Sequence, residues 1–162
     1  MKKMAAKMRR LRISIIVSVI FLMILLPLPP AVQAEKSFTC DDVKVEIDLR
    51  DDGSAAVREF WTFTFSGDVF TRVWRTIPLS GDYSIADFSV SENGRNYTRS
   101  ADFDENRPEN TFAAGPDGNN ERIELYFHAM DQTRTFQIAY VVENAVLLHE
   151  DTAEFYWKVL GD

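Results

Sequence analysis

From Asp42 onward the chain is written largely in twos. Val43, Val45, Ile47 and Leu49 alternate with Lys44, Glu46 and Asp48, the period of a strand with one buried face. Turn residues from Arg50 to Ser54 interrupt the pattern, and it resumes with Val57, Trp61, Phe63 and Phe65, which predicts a hairpin. Gly67-Asp68 leads into a third segment with Val69 and Val73 on one face and Phe70 and Trp74 on the other. Pro78 ends that segment or places it on a sheet edge. Segments at 84–90 and 95–99 flank Asn93-Gly94, the strongest short hairpin signal in the chain. Three more apolar runs follow, at 122–129, 134–142 and 153–160, and no window carries a helical period. The pattern predicts an all-β fold, an antiparallel β-sandwich of about eight strands. Residues 99–121 break it: rich in Pro, Gly, Asn and acids, they are expected to form a mobile surface loop, since long structureless insertions in compact domains are uncommon and tend to be functional or disordered.

The front end is of another kind. Lys2, Lys3, Lys7, Arg9, Arg10 and Arg12 precede an apolar run from Ile13 to Leu26, and Pro27, Pro29 and Pro30 break it before Val32 and Ala34. A basic start, a short apolar core and a small-residue site predict a secretory signal peptide over 1–34 and an exported domain over 35–162. The apolar run reaches only ~21 Å as a helix against a hydrocarbon core of ~30 Å, so a retained N-terminal anchor is the lesser expectation. The leader holds six of the eighteen basic residues and none of the twenty-five acids. Residues 35–162 therefore carry twelve cations against twenty-five anions, a net −13. Nucleic acid is not the partner such a surface implies, because phosphate binding needs clustered Lys and Arg. The expected location is the outer face of the cytoplasmic membrane or the cell envelope, with a protein or envelope component as partner.

Candidate chemistry is sparse. Cys40 stands alone, which rules out an internal disulfide; it is expected to be half-buried on the first strand. Asp102, Asp104 and Asn106 have the spacing of a calcium loop's first ligands, but Arg107 stands where that loop needs Gly, and Ala113 where it needs Glu. The three are a weak calcium candidate. His128 and His149 lack ligand spacing, and His128 is expected at a rim. Glu59, Glu124 and Glu154 lie within strands, where an acid commonly faces solvent. No nucleophile motif or phosphate loop is present, so the sequence assigns no catalytic residue and no cofactor. Trp61, Phe63 and Phe65 share a face and are expected in the core, each gaining ~1.5–3 kcal/mol on burial. The alternative is a secreted carbohydrate-binding domain or hydrolase with aromatics and carboxylates in one cleft; exposure of Trp61 and Trp74 discriminates the two.

Several residues taken together resemble the N-terminal region of a bacterial family of membrane proteins, domain of unknown function 2207 (DUF2207). They are Asp52-Gly53-Ser54, Glu59, Phe65, Gly67, Arg75, Ile77-Pro78, Ile85, Asp87, Tyr140, Asn144-Ala145, Asp151, Ala153-Glu154 and Trp157. Arg58 departs from the Thr that often precedes the Glu in that pattern. The resemblance implies a signal peptide, an extracytoplasmic β-rich region and then membrane helices, so the polypeptide is expected to continue past Asp162 and to meet the membrane through segments beyond it. It implies no catalytic residues. The function expected is an extracytoplasmic binding or scaffolding domain of a membrane-anchored protein.

Overall fold

The computed structural model describes residues 35–79, 83–104, 106–155 and 157. The leader expected at 1–34 and the end of the last strand lie outside them. Among the described residues eleven strands run in chain order: β1 (Ser37–Leu49), β2 (Ala55–Ser66), β3 (Phe70–Pro78), β4 (Ser84–Glu92), β5 (Arg95–Asn96), β6 (Thr98–Arg99), β7 (Thr111–Asp117), β8 (Asn120–Ala129), β9 (Gln132–Glu143), β10 (Val146–Leu148) and β11 (Ala153–Phe155). They form a five-stranded sheet ordered β1-β2-β9-β4-β5, a four-stranded sheet ordered β3-β8-β7-β6, and a separate β10-β11 pair. The class is the all-β sandwich expected, with more strands than eight. One two-residue pairing, β6 with β7, is parallel rather than antiparallel.

The two large sheets face each other through the apolar side of each alternation. Val57 and Phe65 from β2, Phe136, Ile138 and Tyr140 from β9, and Ile123, Leu125 and Phe127 from β8 are all buried. Ring contacts cross the gap: Phe65 to Phe127 at 5.3 Å and Phe127 to Phe136 at 4.9 Å between centroids. Asn93 and Gly94 both take positive φ, 49° and 75°, as a two-residue hairpin turn requires. On β4 a bulge between Ala86 and Ser89, with Asp87 at φ 55°, shifts the register so that Ile85 and Val90, five residues apart, both turn inward.

Four local expectations are corrected. The run 95–99 is not one strand: Tyr97, 6% exposed, is pinned by its N–H to the Val90 carbonyl at 2.8 Å, and the chain changes sheets there. The segment 99–121 is not a structureless loop, because Thr111–Asp117 is strand β7 with Phe112 and Ala113 buried. Phe70 and Val73 both pack against the core despite their odd spacing, because the β3-β8 register shifts between Phe70 and Arg72. Cys40 is exposed, since β1 is an edge strand and leaves its first residues uncovered. Near the end of the described chain, β11 pairs with β10, and the Val146 N–H donates to the Gly53 carbonyl at 3.0 Å, tying this pair to the β1-β2 turn.

Candidate functional site

Glu59 sits on β2 at the same parity as Val57, Trp61, Phe63 and Phe65, and this parity takes it between the sheets, where it is 0% exposed. A buried carboxylate is costly unless each oxygen is matched. Tyr140 O–H donates to its Oε1 at 2.6 Å; Trp61 Nε1–H and Arg75 Nε–H donate to Oε2 at 2.7 and 3.1 Å. Arg75 also donates to the Thr76 carbonyl and lies 5.6 Å from the Trp61 ring. Burial, and then the Glu59 charge beside it, push the Tyr140 phenol well above the ordinary tyrosine range. Glu59 therefore faces the interior, not solvent, because three partners take up its lone pairs and charge.

Beside this cluster the sandwich is open. The outermost strands on one flank are β1 in one sheet and β3 in the other. Between them run two adjoining cavities. One, of about 460 Å³, is lined by Lys36, Phe38, Phe63, Phe70, Arg72 and Trp74 among others. The second, of about 300 Å³, reaches inward past Trp61, Arg75, Leu125, Phe136 and Ile138. They share Phe63, Val73 and Trp74 as walls. Phe38 and Trp74 are 58% and 59% exposed. Trp61 is half-buried, stacked on Phe63 at 6.2 Å, rather than enclosed as expected. Its indole N–H is drawn to Glu59, and its ring forms a wall of the inner cavity.

Glu124 is buried on the other side of the second sheet. It is 2% exposed and takes Arg72 Nη1 at 3.1 Å and Arg122 Nη2 at 2.7 Å. These groups and Phe103, Asp104, Pro116 and Asp117 line a cavity of about 270 Å³ under the 100–110 loop. The Arg122 guanidinium lies 5.4 Å from the Trp74 ring and 5.5 Å from that of Phe103. Of the calcium candidates, Asp102 pairs with Arg107, and Asp104 accepts the Asn106 N–H at 2.9 Å. Among the described residues no group of three His, Cys, Asp or Glu side chains is placed to hold a metal. A third pair, Glu92 and Arg134, closes the sandwich rim, with Tyr97 O–H on Glu92 at 3.0 Å. Glu154 is exposed on β11 with His149 3.5 Å away, and His128 is exposed beside Glu109 at 2.8 Å. Glu59, Glu124 and Glu154 thus occupy three separate places: between the sheets, outside the second sheet, and on the small pair.

A family profile described as "Predicted membrane protein (DUF2207) N-terminal domain" matches residues 39–162. The chain belongs to this family. No curated protein and no solved structure matches it. Within the DUF2207 domain, three residues that carried the resemblance while far apart in sequence, Glu59, Arg75 and Tyr140, meet at one carboxylate. A fourth, Trp157, has its ring 6.4 Å from that of Tyr140, tilted by 52°. Strand parity placed Glu59 beside Trp61 on the core face, and that was the signal available in the sequence. Nothing in the spacing of Glu124 distinguished it, since its cover comes from the 100–110 loop. No helix among the described residues is long and apolar enough to cross a membrane.

Proposed function

We propose that residues 35–162 are the exported binding or scaffolding domain of a bacterial membrane protein, held at the outer face of the cytoplasmic membrane. We further propose that it engages an envelope protein through the cleft between β1 and β3. The observation that carries this reading is the pair of exposed rings, Phe38 and Trp74, set over an apolar cleft on an otherwise acidic domain. Contiguous exposed apolar surface of this kind marks interaction sites. Membership of a membrane-protein family and the basic, apolar, small-residue leader support the location.

Two measurements test it in cells. Alkaline phosphatase fused within the 101–106 loop is expected to be active, as it is only outside the cytoplasm; an inactive, stable fusion overturns the location. A photo-cross-linking residue at Trp74 is expected to give a discrete adduct that the same residue at Leu147, equally exposed at 58%, does not. Identical labelling from both positions overturns the cleft as the binding surface. The carbohydrate-binding alternative rests on Phe103, Asp104, Asp117 and Glu124 around one cavity, with Trp74 beside its Arg122 wall. One face of Trp74 is taken by Arg122, which disfavours sugar stacking there. Retention on a peptidoglycan column, lost in Trp74→Ala, would favour it instead.

A further inference from the structure

We infer that a second copy of this chain adds to the outer edge of β1, with residues 42–50 of each copy paired antiparallel across a two-fold axis at Glu46. The inference goes beyond the cleft and uses other residues, since neither Phe38 nor Trp74 lies in the paired stretch. β1 is the terminal strand of the five-stranded sheet, and among the described residues no strand pairs with its outer edge. Edges of this length are commonly blunted by a proline, a bulge or a covering segment. β1 carries one bulge, between Cys40 and Asp42, and beyond it the register with β2 is regular as far as Leu49. The hairpin bonds show which backbone groups face outward. Arg50 N–H donates to the Ser54 carbonyl at 2.9 Å, and the Arg50 carbonyl accepts the Gly53 N–H at 3.0 Å. Strand alternation then turns the N–H and C=O groups of Val43, Val45, Ile47 and Leu49 away from β2.

The order of charges along that edge decides what it accepts. In an antiparallel two-fold pair a strand meets its own sequence reversed. With Glu46 on the axis, Lys44 stands opposite Asp48 of the second copy and Asp42 opposite its Arg50, each twice by symmetry. All four of these residues are exposed. The like pair, Glu46 on Glu46, is already offset within each copy by Lys44 at 2.7 Å and Arg58 at 3.2 Å. On the core-side face Val43 meets Leu49 and Val45 meets Ile47, which covers a Leu49 that the fold leaves 51% exposed. The neighbouring in-phase registers do not match. One sets Lys44 against Arg50 and Glu46 against Asp48; the other sets Asp42 against Asp48. Out-of-phase registers put the charged face of one strand beside the apolar face of the other. A foreign strand carrying one sign of charge meets both signs here and is matched only in part. The chain's own reversed sequence is matched at every charged position flanking the axis.

The test oxidises the purified full chain carrying Cys40→Ser and one new cysteine at a time. Residues directly opposite in a non-hydrogen-bonded antiparallel pair have Cα atoms ~4.5 Å apart, within disulfide reach. Glu46→Cys is therefore expected to give a cross-linked dimer. Lys44→Cys, displaced ~13 Å along the strands from its own counterpart, is expected to give none. In sedimentation without new cysteines, Lys44→Asp and Asp48→Lys are each expected to weaken the dimer at least about tenfold, because each sets like charges opposite one another twice. Mixing these two variants is expected to restore the dimer, since each then faces the charge it lacks, and restoration also shows that both are folded. Equal cross-linking at positions 44 and 46 overturns the pairing, because non-specific association does not choose a position. A monomer at high concentration overturns it as well. Single variants as tight as the unsubstituted chain, or a mixture no tighter than either alone, overturn this register. Cross-links from Glu46→Cys in cells to a different protein, with none between copies, overturn the second copy in favour of another strand.

Discussion

Glu59 shows how far one side chain can organise a β-sandwich. Its carboxylate joins β2, β3 and β9 through Trp61, Arg75 and Tyr140. Removing one partner of a buried pair strands the other charge, so Glu59→Ala is expected to cost ~3–5 kcal/mol in urea unfolding. Replacing both members, Glu59→Leu with Arg75→Leu, is expected to cost less than either change alone, because no unpaired charge remains. A double variant weaker than both singles would show that the network supplies stability beyond charge matching. Glu46 offers the contrast. It pairs with Lys44 and Arg58 at the surface, and its replacement by Ala is expected to leave the unfolding midpoint where it is.

At the scale of elements, the revised 99–121 segment gives the sharpest expectation. β7 is hydrogen-bonded to β8 across Thr111 to Asp117, and its turn uses Gly118 at φ 62°. Hydrogen exchange is expected to find the Phe112 to Ala114 amides protected and those of 101–103 exchanging fast; uniform fast exchange would restore a structureless loop. Gly118→Ala is expected to cost ~1 kcal/mol, since a Cβ meets open space there but a left-handed φ. These outcomes also mark how legible the sequence was. Long alternating strands such as β1, β2 and β9, and the Asn93-Gly94 turn, could be read because period and turn chemistry agree locally. β7 could not, because Ala113, Ala114, Gly115 and Pro116 have little strand propensity and are held by β8. The split at Tyr97 depends on a tertiary bond to Val90, and the cleft depends on which strands become edges. Pairing order of that kind is not written in any one segment.

For the whole molecule, the balance of charge and burial predicts how stability changes with pH. Tyr97, Tyr126 and Tyr140 all have phenols pushed above the ordinary range, each chiefly by burial; Glu92 adds to the first and Glu59 to the last. In the unfolded chain these phenols ionise near pH 10, whereas in the folded domain they keep their protons. Unfolding then releases protons, so stability present in full below about pH 10 falls as pH rises beyond it, by up to ~1.4 kcal/mol per pH unit for each tyrosine. The net −13 of residues 35–162 adds a second alkaline penalty as lysines lose charge and self-repulsion grows. Salt separates the two. Repulsion between surface charges is screened at about 1 M salt, where the Debye length is ~3 Å, while the cost of ionising an enclosed phenol is not. Urea unfolding between neutral and strongly alkaline pH is therefore expected to show a decline that persists in high salt. Tyr140→Phe is expected to start lower at neutral pH, having lost its bond to Glu59, and then to decline less steeply. A decline that high salt abolishes, or a Tyr140→Phe curve parallel to that of the unsubstituted protein, would assign the loss to net charge instead.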